Sequence, residues 1–357
     1  MTNPLPPAND LVRELVALPG PPGQEDAVRE AVALHLDALG CVHRTDARGN
    51  LLIAPPGIQT IPEHPRIVVM AHLDEIALLV VRIEDSGLLI VTPLGGAYPW
   101  KWGEGPVSIL APGDPLTGIL SFGSIHSSSK TSPAVRARED ALTWDMARIF
   151  TGLRAGELDA LGVRPGTRVA LHPSRRTLTE FGAFVSAPFL DDRADLAALL
   201  LVLAAMPPAT NNGKEQGGVL LAATAAEEVG GHGALFLLRQ CGAEIGLALE
   251  VGPRTPEAPF VLDAQPTVWV NDSYSAMQPA DIALVADAAR QIGLTPHFQA
   301  LARGGSDASC AASHGLVARP ITLAFGAENS HGHEIMHCDA VNNLAALTRA
   351  VLERLGP

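Results

Sequence analysis

Aromatic side chains are scarce in this 357-residue chain, at 4%, and there are only four cysteines. Cys41, Cys241, Cys310 and Cys338 are widely scattered with no CxxC pair. This argues against a disulfide framework and for free thiols in a reducing compartment. A basic surplus is also missing. Lys and Arg number 25 against 38 Asp and Glu, a net charge of −13, which excludes nucleic acid or an anionic membrane as the main partner. The longest apolar run, Leu196 to Met206, falls well short of the roughly 20 residues needed to cross a bilayer. The N-terminus, MTNPLPPAND, has neither a basic start nor an apolar core, so no signal peptide is expected and the expected location is cytoplasmic.

What the chain does have is aliphatic residues, 34 glycines and 29 prolines, a mixture that suits an α/β enzyme with many loops. Its length allows a large core and two domains. Asn9 to Leu18 and Gln24 to Leu39 read as helices; in the second, Val28, Ala31, Val32, Leu36 and Leu39 share one face and Gly40 supplies the stop. Arg66 to Val81 reads as one apolar strand interrupted by His72, Leu73, Asp74 and Glu75. Polar residues inside such a strand are costly unless paired or bound to something. From about Arg82 to His172, short strand-like pieces alternate with Gly- and Pro-rich turns, and Ala134 to Leu161 holds one or two short helices. The expected architecture is an α/β domain with a mainly parallel sheet sandwiched by helices, formed by residues 1–81 and 173–357. Residues 82–172 form a small β-rich domain inserted into it.

The chemistry centres on Gly218 to Ala234, GVLLAATAAEEVGGHGA. Its aliphatic run reads as a strand buried on both faces, and it delivers the adjacent carboxylates Glu227 and Glu228 just before Gly230, Gly231 and Gly233. Neighbouring residues leaving a strand point in different directions, so one carboxylate can grip a metal while the other faces a substrate. Alone, such a pair is an ordinary solvated strand end. It gains meaning because His72, Asp191, Glu250 and His331 fall at the ends of other candidate strands or at the mouth of the next helix. In an open parallel sheet those ends line one crevice. So many carboxylates repel unless cations gather them, and Arg193 and Arg303 are too few to do so. Two divalent metals sharing one bridging carboxylate meet the need.

At these residues the chain resembles the dinuclear zinc aminopeptidases of the tetrahedral, self-compartmentalising family, which includes glutamyl and deblocking aminopeptidases and members once labelled cellulases. AHLDEIALLV, FLDDRAD, ATAAEEVGGHGA, ALEV, GGSDAS and the SHGHE region follow the order of its motifs, and LGVRPGTRVAL resembles the segment returning from its inserted domain. The resemblance implies a zinc-exopeptidase-like fold. It implies that His72, Asp191 and Glu250 hold one metal and that Asp191, Glu228 and His331 hold the other. Glu227 is then the general base, and Asp74 orients His72. It further implies a cis Asp191–Asp192 peptide, a peptide substrate, and a homo-oligomer built from dimers, a dodecamer among the possibilities, with the insert at an interface.

The chain departs from the family in two places. Glu250 stands where close relatives carry Asp, and His331 is followed by Gly-His-Glu, so His333 competes for the last ligand position. His232 and His337 read as outer-shell or structural residues, and His35, His126 and His314 as surface or core histidines. Asp307 is open between a pocket role and a turn role. The expected function is a metal-dependent aminopeptidase with two zinc ions, cobalt or manganese being alternatives. The alternative is a related dinuclear hydrolase such as an N-acyl amino-acid deacylase or a carboxypeptidase. A glycosidase reading gives His72 and His331 no task, and a peptide-binding scaffold without catalysis gives none to Glu227.

Overall fold

The computed structural model describes residues 4–208 and 218–356. In chain order, helices α1 (Ala8–Val16) and α2 (Asp26–Leu39) precede strands β1 (His43–Thr45), β2 (Leu51–Ile53) and β3 (Ile67–His72). The inserted part follows: β4 (Ala77–Ile83), β5 (Leu89–Leu94), α3 (Pro99–Trp102), β6 (Gly105–Leu110), β7 (Leu116–Ser121), α4 (Pro133–Glu139), β8 (Arg148–Phe150), α5 (Ala155–Ala160) and β9 (Arg168–Leu171). The chain then returns through β10 (Thr179–Phe181), β11 (Phe184–Pro188), α6 (Leu190–Ala205), β12 (Val219–Thr224), α7 (His232–Cys241) and β13 (Ile245–Pro253). It ends with β14 (Pro266–Asn271), α8 (Pro279–Gln291), β15 (His297–Ala300), α9 (Asp307–Ser313), β16 (Arg319–Glu328), β17 (His333–His337) and α10 (Ala340–Leu355).

The large sheet runs β1-β2-β12-β3-β13-β16-β17-β11-β10, with β14 on β16 and β15 on β14. Its centre, β12-β3-β13-β16, is parallel, and antiparallel strands extend it on both sides. The central strands read as continuous apolar runs because helices cover both faces. Alternate residues go to opposite sides: Val69 and Leu221 pack in the core with α1, α2, α6, α8 and α10, whereas Met70 and Leu220 pack with α7 and α9. The expected helices are present within a residue or two, and Gly40 ends α2 in the left-handed conformation, with φ 68°.

One expected strand is divided. Ile67–His72 is the central β3, but Ala77–Ile83 is the first strand of the closed barrel β4-β5-β8-β7-β6-β9. Residues 73–76 therefore link the large sheet to the barrel, although the apolar pattern continues across them. The barrel has its own core around Leu78, Val107, Ile149 and Val169. Both of its links are tied by buried charges. Glu75, just before the barrel, accepts from Arg176 Nη1 at 2.7 Å and Nη2 at 2.6 Å, just after it, and from Arg193 Nη2 of α6 at 2.7 Å. All three side chains are fully buried. Among the described residues no helix is long and apolar enough to cross a membrane.

Candidate metal centre

β3, β12 and β13 lie side by side and parallel, so their C-terminal ends reach one edge of the sheet. His72 is the last residue of β3, Glu227 and Glu228 follow β12, and Glu250 lies within β13. Asp191 comes from the start of α6, whose Asp191–Asp192 peptide is cis. His331 sits in the turn between β16 and β17.

Two clusters of potential ligand atoms result, one of His72, Asp191, Asp192 and Glu250 and one of Asp191, Glu228 and His331, each with its atoms within 4.8 Å of one another. Asp191 is common to both. Its Oδ1 lies 3.0 Å from His72 Nε2 and its Oδ2 lies 3.4 Å from His331 Nε2. One carboxylate thus turns an oxygen to each histidine. Glu227 belongs to neither cluster and lines the same cavity, of about 320 Å³.

The supporting shell is dense. Asp74, fully buried, accepts the backbone N–H groups of Glu227 and Glu228 at 2.9 and 3.1 Å. Its Oδ1 also lies 3.4 Å from His72 Nδ1, and its carbonyl 3.1 Å from the same nitrogen. Asp192 accepts the His72 N–H at 2.5 Å. Glu334 ties two chain segments together, taking the Asp191 N–H on Oε2 at 3.0 Å and the His331 N–H on Oε1 at 2.8 Å. The start of α7 needs a glycine: a Cβ at Gly233 would collide with the Ala225 carbonyl and with Asn50 Oδ1, which accepts the Ala225 N–H at 2.9 Å.

The electrostatics fit cations. Burial, partly opposed by His331, pushes Glu228 up to about 7. Burial together with repulsion from neighbouring carboxylates holds Glu227 and Glu250 well above their ordinary range. Asp191 is held low, against its burial, by His331 and His72. Both histidines are raised, against their own burial, by the carboxylates around them. Carboxylates and imidazoles that lean this hard on one another for charge balance are the donor set a pair of divalent ions would satisfy.

The remaining candidates fall elsewhere. His333 is exposed at the start of β17 and joins neither cluster. His232 is exposed beside Arg48, and His337 accepts the Asp339 N–H at 3.1 Å. His35 meets Glu14 at 3.1 Å, His126 is exposed, and His314 caps α9. Asp307 is buried at the start of α9 and accepts from the Thr224 hydroxyl at 2.5 Å. The four cysteines are free thiols. No supporting role is legible in the sequence for Glu334, for the Asp192 side chain or for the glycines Gly95 and Gly96. Gly95 and Gly96 belong to the barrel, yet a Cβ on either would press on Glu228 or His331.

The sequence profile described as M42 glutamyl aminopeptidase matches residues 49–347. The chain belongs to the M42 glutamyl aminopeptidase family. A curated relative, the lysyl aminopeptidase of Pyrococcus furiosus, is 25% identical over 192 residues, which cover 53% of this chain and 52% of that protein. The match thus spans about half of that relative's length. Solved structures cover nearly the whole chain. The Pyrococcus horikoshii TET1 peptidase superposes with a TM-score of 0.82 at 23% identity, covering 96% of this chain and 98% of that one. A TET aminopeptidase from a marine-sediment Thaumarchaeota archaeon gives 0.84 at 19%, covering 98% and 96%. At such identities the likeness is one of fold, and the M42 fold is what the sheet and barrel display.

Proposed function

We propose that the protein is a metal-dependent aminopeptidase that removes N-terminal residues from peptides. The observation that carries this reading is Asp191 standing between two ligand clusters, with Glu227 outside both in the same cavity. His72, Asp191 and Glu250 would hold one ion, and Asp191, Glu228 and His331 the other, with Asp192 bracing His72 from its backbone. Two divalent ions, zinc above all with cobalt or manganese as alternatives, supply Lewis acidity at the scissile carbonyl and ease deprotonation of the attacking water.

The protein's own groups do the rest. Glu227, raised by burial, takes the water's proton and passes it to the leaving amine. Asp74 fixes the Glu227–Glu228 backbone and thereby aims the two side chains at different tasks. The acidic cavity suits the free α-amino group of a peptide. Arg303 also lines it, a cation that would suit a substrate carboxylate, the group that a carboxypeptidase or an N-acyl amino-acid deacylase must hold. Substrates separate these readings. Release of a chromogenic amine from aminoacyl substrates, with none from their N-acylated forms and no release of C-terminal residues, is expected. Activity confined to N-acyl or C-terminal substrates would overturn the aminopeptidase reading.

The Pyrococcus horikoshii TET1 peptidase assembles into a tetrahedron or a large octahedral shell, which supports a homo-oligomer here, built from dimers, with a dodecamer among the possibilities. The barrel supplies the contact in this reading. Ile119 and Phe150 pair across β7 and β8 and are 46% and 52% exposed, leaving an apolar face open to water. Light scattering should give several multiples of the 37.3 kDa chain; a stable monomer at micromolar concentration would remove the idea.

A further inference from the structure

The barrel reaches into the second ligand cluster. The Gly96 carbonyl, in the loop after β5, lies 3.2 Å from His331 Nδ1. Taking that N–H leaves Nε2 toward Asp191, an arrangement that fixes the tautomer of a metal-binding imidazole. Five residues on, Lys101 in α3 donates from Nζ to Asn329 Oδ1 at 2.7 Å and to the Ser330 carbonyl at 2.8 Å. These two residues lead directly into His331.

The turn they form is one that backbone sterics oppose. Asn329 and His331 have φ of 64° and 60°, left-handed conformations that cost residues with a Cβ free energy and persist only where surroundings enforce them. Within the turn, Asn329 Nδ2 donates to the His333 carbonyl at 2.9 Å and the Gly332 N–H to the Asn329 carbonyl at 3.1 Å. Lys101 closes it from the other side: a Cβ at Gly332 would stand 2.9 Å from both Lys101 Cδ and Asn329 Nδ2. The lysine stem thus packs on the turn while its head takes the acceptors the turn leaves open.

We propose that Lys101 is a positioning residue for His331, clamping the Asn329–His331 turn so that the ligand cluster of Asp191, Glu228 and His331 is complete only when the inserted barrel is seated against the catalytic domain. The inference rests on the two-metal reading of the site. It makes the barrel a part of the centre as well as a neighbour to it, and it assigns different metal affinities to the two clusters if the clamp is lost.

The test is zinc binding to the whole chain, freed of metal by chelator dialysis and titrated with zinc alone by calorimetry. The unaltered protein should show two binding steps. Lys101→Met keeps the stem and removes the donor head; it should leave one step unchanged and weaken the other by about 10–100-fold, the usual cost of losing a ligand's outer support. Lys101→Arg should return the weakened step to within a few-fold of the unaltered value. Two unchanged steps in Lys101→Met would overturn the proposal. So would equal weakening of both steps with a lowered unfolding midpoint, which marks a residue that only supports the fold. Fewer than two steps in the unaltered protein would overturn the two-metal reading, and this inference with it, before any variant is made.

Discussion

Glu227→Gln is expected to lower turnover by about 10²–10⁴-fold, the range for removing a general base, with metal content unchanged. The amide keeps the shape of the side chain, and the loop stays in place because Asp74 holds the backbone N–H groups of both residues and not their carboxylates. Glu228→Gln, one residue on, should behave differently. Its carboxylate is grouped with Asp191 and His331, so its loss should weaken one ion, with activity partly restored by excess zinc or cobalt. If Glu227→Gln were the variant that loses metal and responds to added ions, the two assignments would be reversed. If both variants kept near-normal turnover with full metal, neither carboxylate would be catalytic.

Glu75→Gln is expected to destabilise the fold by about 3–5 kcal/mol, because it leaves the buried guanidinium groups of Arg176 and Arg193 without their carboxylate. Those groups have other partners: Arg176 Nε donates to the Val16 carbonyl at 2.8 Å and Arg193 Nη1 to the Leu73 carbonyl at 2.6 Å. Carbonyls carry no net charge, however, and cannot replace the anion shared between the two cations. The triad also joins both links to the barrel with the helix that carries Asp191, so the loss should fall on the seating of the barrel as well as on the core. Chemical denaturation followed by circular dichroism measures the change. A loss under about 1 kcal/mol, the worth of an exposed pair, would contradict the structural role given to Glu75.

The sequence made the large sheet and its helices readable where one element reports its own surroundings. β12 and β13 are continuous apolar runs because both faces are covered, and α2 shows its buried stripe and its glycine stop. Of the candidate site residues, His72, Glu227, Glu228 and Glu250 stand out in the sequence because each interrupts or follows an apolar run that otherwise has no use for charge, whereas the roles assigned to them, and to Asp191 and His331, follow from the resemblance to the family. The division between β3 and β4 was hidden, since apolar residues continue on both sides of it and periodicity carries no mark of which core receives them. Lys101 was hidden too. Its partner Asn329 lies 228 residues away, and nothing local distinguishes a lysine that clamps a turn from one that faces water. Glu334 was in view beside His331, but its work, gathering the backbone of two distant segments, is a property of the closed fold alone.

The claim on which the rest depends is that two metal ions flank Asp191. Anomalous diffraction at the zinc edge from crystals of the zinc-loaded protein measures it directly. Two peaks about 3.5–4 Å apart, the spacing of two-metal hydrolytic sites, are expected, with the Asp191 carboxylate between them, one beside His72 and Glu250 and the other beside Glu228 and His331. A single peak, or none near Asp191, would contradict it.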